Sequence, residues 1–398
     1  MREVYLDNSA TTKVSDRVAQ FMYEVMTEYY GNPSSLHRKG IEAEKLLREA
    51  RENIARALGV KPREIYFTSG GTESNNLAIK GTAYSMRKQG NHLITTTIEH
   101  PSVLEAFRQL EKEGFCVTYL GVDSRGVINI GALQKALRPD TILVSIMYIN
   151  NEVGSIQPIK EVASCIRRNK NTVFHVDAVQ AFGKIPMEIE GIDLLSISGH
   201  KIYGPKGTGA LFIREKVRIT PLFNGGGQEQ NIRSGTENMP GIAGLGAAAK
   251  EAFENMHSWG KTMKDLKKRL KDRILAEIPD TVLNGPDADE DGSCQDLDAP
   301  DEAPHILNVS FLGARGEILL HALESHGIYV STGSACSSHK EGKSHVLSAM
   351  GKSNEEIDGA IRFSLSPFLT IEDIDYTVDV LKKEVEEIRK FVRKQTWR

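Results

Sequence analysis

The stretch Asp193-Leu194-Leu195-Ser196-Ile197-Ser198-Gly199-His200-Lys201-Ile202-Tyr203-Gly204-Pro205-Lys206-Gly207-Thr208-Gly209 decides the reading of the fold. An apolar strand over 194–198 ends at a polar turn holding Ser198, His200 and Lys201, and a glycine-rich loop leads into a second run at 210–213. Outward from this point the pattern repeats. Strand-like runs fall at 65–68, 93–97, 115–120, 142–147 and 173–176, with helical patterns near 73–89, 102–113, 131–138 and 159–169. Ser15 suits the N-cap of a helix over 16–30, which Gly31-Asn32-Pro33 ends. Ile41, Leu46, Leu47, Ala50, Ile54 and Leu58 recur at helical spacing before Gly59. Strands alternating with helices predict an α/β fold whose mainly parallel sheet is covered on both faces, with reactive groups at the carboxyl ends of the strands.

Gly225-Gly226-Gly227 and residues 241–249 read as a looser connector, followed by a long helix over 245–277. The remainder shows strands near 306–311 and 328–331 and a final helix over 371–394. A length of 398 residues suggests two domains. Apolar residues make up 40 % and charged residues 26 %, ordinary for a globular protein whose core needs no staples. Fifty basic against 53 acidic residues give a net charge of −3, which argues against nucleic acid as the main partner. No run nears the roughly 18 apolar residues of a transmembrane helix, and Met1-Arg2-Glu3-Val4-Tyr5-Leu6-Asp7 holds no apolar signal core. Cys116, Cys165, Cys294 and Cys336 form no C-x-x-C. That excludes a zinc knuckle or a disulfide scaffold and fits a reducing cytoplasm.

Several stretches carry chemistry. A lysine at a strand end beside a hydroxyl and an imidazole can form an imine with an aldehyde cofactor while its neighbours hold a phosphate; desolvation or a nearby cation makes it a useful amine. Lys201 fits that description, Lys206 is its local rival, and a surface lysine is the plain alternative. Phe67-Thr68-Ser69-Gly70-Gly71-Thr72-Glu73-Ser74-Asn75-Asn76 follows a strand and opens a helix. Free N–H groups and the positive helix end suit a phosphate there, although such a turn can also be only a helix start. In Phe174-His175-Val176-Asp177-Ala178-Val179-Gln180 the buried aspartate needs a partner, either a protonated pyridine nitrogen or the next helix's N-terminus.

Within Thr97-Ile98-Glu99-His100-Pro101-Ser102, His100 can stack on an aromatic cofactor, shuttle protons or cap the helix that Pro101 begins. Ile149-Asn150-Asn151-Glu152-Val153-Gly154 places amides at another strand end. In Ser331-Thr332-Gly333-Ser334-Ala335-Cys336-Ser337-Ser338-His339 small residues surround the thiol, and polar sequence continues to about Gly351, the setting of a mobile nucleophile. Cys116 and Cys165 sit in apolar sequence and read as structural, while the carboxylates around Cys294 disfavour its thiolate. Arg362 in Ile361-Arg362-Phe363-Ser364-Leu365 needs a carboxylate, whether a ligand's or the protein's own.

Together these stretches resemble the pyridoxal-phosphate cysteine desulfurases of the NifS/IscS type, in the class V aminotransferase family. The likeness runs nearly end to end, from Tyr5-Leu6-Asp7-Asn8-Ser9-Ala10-Thr11-Thr12 and Gly31-Asn32-Pro33-Ser34-Ser35 to Arg233-Ser234-Gly235-Thr236 and Gly333-Ser334-Ala335-Cys336. It implies the type I aminotransferase fold: a large pyridoxal-phosphate domain over 15–256, and a small α/β domain of 1–14 and 257–398 with a mobile catalytic Cys loop at about 332–350. It also implies L-cysteine as substrate, a homodimer, and a sulfur acceptor that is an iron–sulfur scaffold or a tRNA-thiolation protein. Lys201 would form the cofactor imine and move the Cα proton, and Asp177 would hold the pyridine N–H. Asn151 and Gln180 would face the phenolic oxygen, and His100 would stack on the ring. Gly71, Thr72, Ser198 and His200 would hold the phosphate, joined by Thr236 of the neighbouring subunit. Arg362, with Asn151, would bind the substrate carboxylate. Cys336 would attack the substrate sulfur, becoming a persulfide and leaving alanine.

Some features stand apart from the resemblance. Residues 287–302 hold eight acids and no base, and residues 389–398 hold five bases and no acid. Both read as solvated surface. Asp287, Asp289, Asp291, Gly292 and Asp298 also fit part of a calcium loop, but Pro286 and Pro300 oppose its flanking helices. Lys343 stands where the family often carries a proline before Ser344-His345. A selenocysteine lyase or another class V enzyme would need Lys201 and Asp177 but no loop thiol. A non-catalytic sulfur-relay scaffold would show a broken cofactor site.

Overall fold

The computed structural model describes residues 2–167, 169, 171–287, 302–332 and 343–395. Seven strands form one sheet in the order Ile65–Thr68, Gly209–Ile213, Leu194–Ser198, Val173–Asp177, Thr141–Ser145, His92–Thr96 and Cys116–Leu120. All run parallel except Gly209–Ile213, which is antiparallel to both neighbours. The link over 199–208 is too short for a parallel crossover, so the chain turns straight back. Thr141–Ser145, Leu194–Ser198 and Gly209–Ile213 are buried along their whole length, as a sheet covered on both faces requires. Helices begin where the sequence supplies caps. Ser15 accepts from the Val18 N–H ahead of Asp16–Thr27, and Gly59, at φ +67°, closes Arg38–Leu58.

Two apolar cores are the largest among the described residues. The first joins Val144, Phe174, Leu195 and Phe212 of the sheet to Ala50, Ile54, Leu245 and Ala248 of the helices. The second joins Val4, Leu6, Phe311, Phe363 and Leu381 to Met263 and Leu270. It surrounds the antiparallel strands Ala360–Ser364, Ile306–Phe311 and Thr281–Asn284, and Val4–Tyr5 pairs in parallel with Ile328–Tyr329. The helix Met239–Glu277 serves both cores, with Trp259 packed against each and edge-on to Tyr203 and Phe368. No helix among the described residues is long and apolar enough to cross a membrane.

Three expectations need correction. The stretch 241–249 is not loose: the long helix starts at Met239, with Asn238 as its cap, rather than near 245. Its glycines mark close packing, for a Cβ on Gly246 would lie 2.4 Å from the Ala50 Cα. The polar run expected to stay mobile to about 350 contains the helix His345–Ala349, because Val346, Leu347 and Met350 are buried with Ile98 and Met147. Cys116 is exposed at the start of the sheet's edge strand, where Arg138 donates to its Sγ at 3.4 Å; Cys165 is buried as expected. Cys294, Cys336 and the calcium-like pattern after Asp287 lie outside the described residues. Asp287 itself pairs with Lys271 at 2.6 Å. In the basic tail, Arg389 donates to the carbonyls of Leu312, Pro279 and Asp280.

Replacing Gly246 by alanine forces two helix backbones apart and should cost about 1–3 kcal/mol of stability. Equilibrium denaturation checks this, and an unchanged midpoint would contradict the packing argument.

Candidate active site

The carboxyl ends of the parallel strands converge on one cleft. Ile65–Thr68 leads into the helix Gly71–Met86, whose cap residue Gly70 offers no side-chain hydrogen bond. The N–H groups of that first turn are therefore available to an anion. Gly70, at φ +148°, lies so close to the neighbouring strand that a Cβ on Gly209 would sit 2.7 Å from its Cα. Gly71, Thr72, Ser198 and His200 line this end of the cleft.

Lys201 follows the strand Leu194–Ser198, and its Nζ donates to the carbonyl of Ser9 and, at 2.7 Å, to that of Ala10. Its local rival Lys206 is exposed and does not line the cleft. Asp177 ends its strand 6 % exposed. One carboxylate oxygen accepts from the Val179 N–H at 3.0 Å, the other from Asn75 Nδ2 at 2.7 Å. His100 both lines the cleft and caps the helix Pro101–Lys112, accepting from the Ser102 N–H at 3.1 Å. Gln180 donates to the Ser9 carbonyl at 3.0 Å, and its Oε1 lies 3.4 Å from His305 Nε2. Arg362 is 3 % exposed; it pairs with Asp7 at 2.8 Å and donates to the Asn151 carbonyl at 2.9 Å. The two readings of this arginine thus coincide: it makes an internal salt bridge and it faces the cleft, which Asn151 also lines.

Burial sets the local charges. It pushes His200 down to about 4, helped by the cations Lys201 and Lys206. It lowers His100 as well, with Lys201 and His345 adding to the effect and Asp177 opposing it. Glu99, fully buried, is pushed up to about 8 and is protonated at neutral pH.

Of the residues expected in the site, Thr236 is exposed and does not line this cleft, and Cys336 lies outside the described residues. Sequence reasoning missed Ser9 and Ala10, which act through backbone carbonyls that no side chain announces. Asn75 and Ser102 stood inside quoted motifs, and only the contact with Asp177 reveals their place.

The chain matches the family model of aminotransferase class-V over residues 4–377. It is 46 % identical over 400 residues to cysteine desulfurase IscS of Dictyoglomus turgidum, covering 100 % of this chain and 98 % of that protein. A solved NifS-like protein superposes with a TM-score of 0.88 at 42 % identity, covering 96 % of this chain and 99 % of that one. A structure of SspA in complex with cysteine gives a TM-score of 0.79 at 35 % identity, over 92 % and 100 % of the two chains. Fold and cleft therefore define a type I pyridoxal-phosphate protein. The chain belongs to the aminotransferase class-V family.

The residues present fit that cofactor. An uncapped helix start with hydroxyls and an imidazole suits a phosphate, and a carboxylate and an amine line the same cleft. Ser9 Oγ, Asn75 Oδ1 and Arg362 Nε are buried in residues of its wall without a partner, as expected of groups that a bound molecule completes.

Beneath the site Lys184 is 3 % exposed, its Nζ 3.3 Å from the Tyr203 hydroxyl and 4.6 Å from the ring centre. Burial, then the charge of Lys201, bring its pKa from 10.5 down to about 7. Between those values the unfolded chain holds a proton the folded chain has released, so stability rises with pH. Lys184→Met should therefore stabilise the protein most at pH 7 and progressively less towards about pH 10. Chemical denaturation at several pH values checks this, and a constant difference would contradict it.

Proposed function

We propose that this protein is a pyridoxal-phosphate-dependent cysteine desulfurase, which converts L-cysteine to L-alanine and passes the sulfur through a Cys336 persulfide to an acceptor protein. The observation that carries the reading is Lys201, Asp177 and Arg362 lining one cleft, in a chain 46 % identical over its full length to a named cysteine desulfurase. Gly71, Thr72, Ser198 and His200 would hold the cofactor phosphate, and Thr236 would join them from a second copy. Asp177 would hold the pyridine nitrogen, Asn151 and Gln180 the phenolic oxygen, and His100 the ring face. Bound there, pyridoxal phosphate supplies an electron sink that makes the substrate Cα–H acidic and weakens its Cβ–S bond.

The chain's own groups do the rest. Arg362 Nε, buried without a partner, offers an N–H to the substrate carboxylate. Lys201 Nζ takes the Cα proton and returns a proton to the product. His100 and His200 are held neutral by burial, so neither adds a positive charge beside Lys201. Cys336 receives the sulfur, and the proposed acceptor is an iron–sulfur scaffold or a tRNA-thiolation protein. The two largest apolar cores support a division into a cofactor domain over 15–256 and a smaller domain of 1–14 and 257–398, and a homodimer would complete the reading through Thr236.

Cys336→Ser should keep the yellow colour of the holoenzyme while cysteine-dependent sulfide release falls at least about 10²-fold. Sulfide release and alanine formation measured with added thiol check this. Wild-type turnover in that variant would remove Cys336 from its role.

A further inference from the structure

One buried amide of the cleft wall takes no part in the reaction as proposed. Asn75 is 1 % exposed, and its Nδ2 donates to Asp177 Oδ2 at 2.7 Å and to Ser102 Oγ at 2.9 Å. Ser102 Oγ lies 2.8 Å from His100 Nδ1, and the Ser102 backbone N–H donates to that same nitrogen at 3.1 Å. Two fixed ends give every proton in this chain its direction. A backbone N–H can only donate, so His100 Nδ1 is an acceptor and bears no proton. A carboxylate accepts, so the amide turns its NH2 towards Asp177, and that same NH2 faces Ser102 Oγ. The Ser102 hydroxyl, already an acceptor, sends its own proton to His100 Nδ1. Asn75 Oδ1 is left buried without a partner, so its two donor contacts fix the amide's orientation.

We propose that Asn75 and Ser102 are positioning residues: their hydrogen-bonded chain from Asp177 to His100 reinforces the Nε2–H tautomer that the Ser102 N–H sets and holds the imidazole in register with the carboxylate. The chain ties together elements that follow three different strands. Asn75 sits in the helix after Ile65–Thr68, His100 and Ser102 follow His92–Thr96, and Asp177 ends Val173–Asp177. A proton on Nδ1 would face the Ser102 N–H, so the charged imidazolium is disfavoured by geometry as well as by burial. The consequence for catalysis rests on the desulfurase reading, in which Asp177 and His100 act on one ring.

The test uses the full-length holoenzyme labelled with 15N-histidine, the His100 signals being assigned by their loss in His100→Gln. The wild type should show one proton-bearing nitrogen, Nε2, and one proton-free nitrogen, Nδ1. Asn75→Ala touches no atom of His100, yet it should shift the Nδ1 signal, because the Ser102 hydroxyl is no longer held towards that nitrogen, while the Ser102 N–H keeps the nitrogen proton-free. Ser102→Ala should do the same, and adding Asn75→Ala to it should move the signal no further. Ser102→Thr keeps the hydroxyl and should keep the wild-type signals, with kcat/KM restored from the roughly tenfold loss expected of Ser102→Ala. An unmoved His100 Nδ1 signal in Asn75→Ala, or a wild-type proton on Nδ1, would overturn the proposal. Wild-type nitrogen signals without cysteine turnover would instead count against the desulfurase reading and leave the relay standing.

Discussion

The Lys201 side-chain nitrogen held by the carbonyls of Ser9 and Ala10 is the contact on which the layout of the cleft depends. Those carbonyls belong to a segment stitched in on both sides. Asn8 Nδ2 donates to the Ser364 carbonyl at 2.9 Å and the Ser9 N–H to Ser364 Oγ at 2.8 Å, while the Thr12 N–H donates to the His200 carbonyl at 2.9 Å. Asp7 in the same segment neutralises Arg362. The amine, the arginine and the strand Ala360–Ser364 are therefore set against one another by six residues of irregular chain, over 7–12. Backbone carbonyls suit this task because they accept from the Lys201 nitrogen without adding a full negative charge to the cleft.

Around that contact the fold removes unwanted charge. The five parallel strands that point into the cleft from the large sheet leave their polar residues in a buried setting, where desolvation makes the neutral forms of His100, His200 and Glu99 the favoured ones. A cleft built this way concentrates its electrostatics on few groups. It also explains why so many side chains there act in pairs: Asp177 with Asn75, Gln180 with Ser9, Arg362 with Asp7. Each partner fixes an orientation that an isolated polar group in a buried wall could not hold.

Much of this was legible in the order of residues. The central strands announce themselves as short apolar runs followed by polar turns, and Val173–Asp177 and Leu194–Ser198 lie where the runs at 173–176 and 194–198 predict them. Lys201, Asp177, His100 and Arg362 were legible because each puts a reactive group at the end of, or inside, an apolar strand. Other features were hidden for physical reasons. Gly246 has the same letter as a loop glycine, and only the approach of Ala50 shows that it is a packing contact. Thr281–Asn284 is four residues long and gains its strand character from pairing with Ile306–Phe311. Ser9 and Ala10 act through their main chain, and Asn75 acquires meaning only when Asp177 and Ser102 arrive from distant parts of the sequence.

The most direct measurement of the central claim is covalent mapping. Borohydride reduction of the purified enzyme, followed by peptide mass spectrometry, should place a phosphopyridoxyl group on the peptide containing Lys201 and on its Nζ. A group found on Lys206 or Lys184 instead, or no modified lysine at all, would contradict the account.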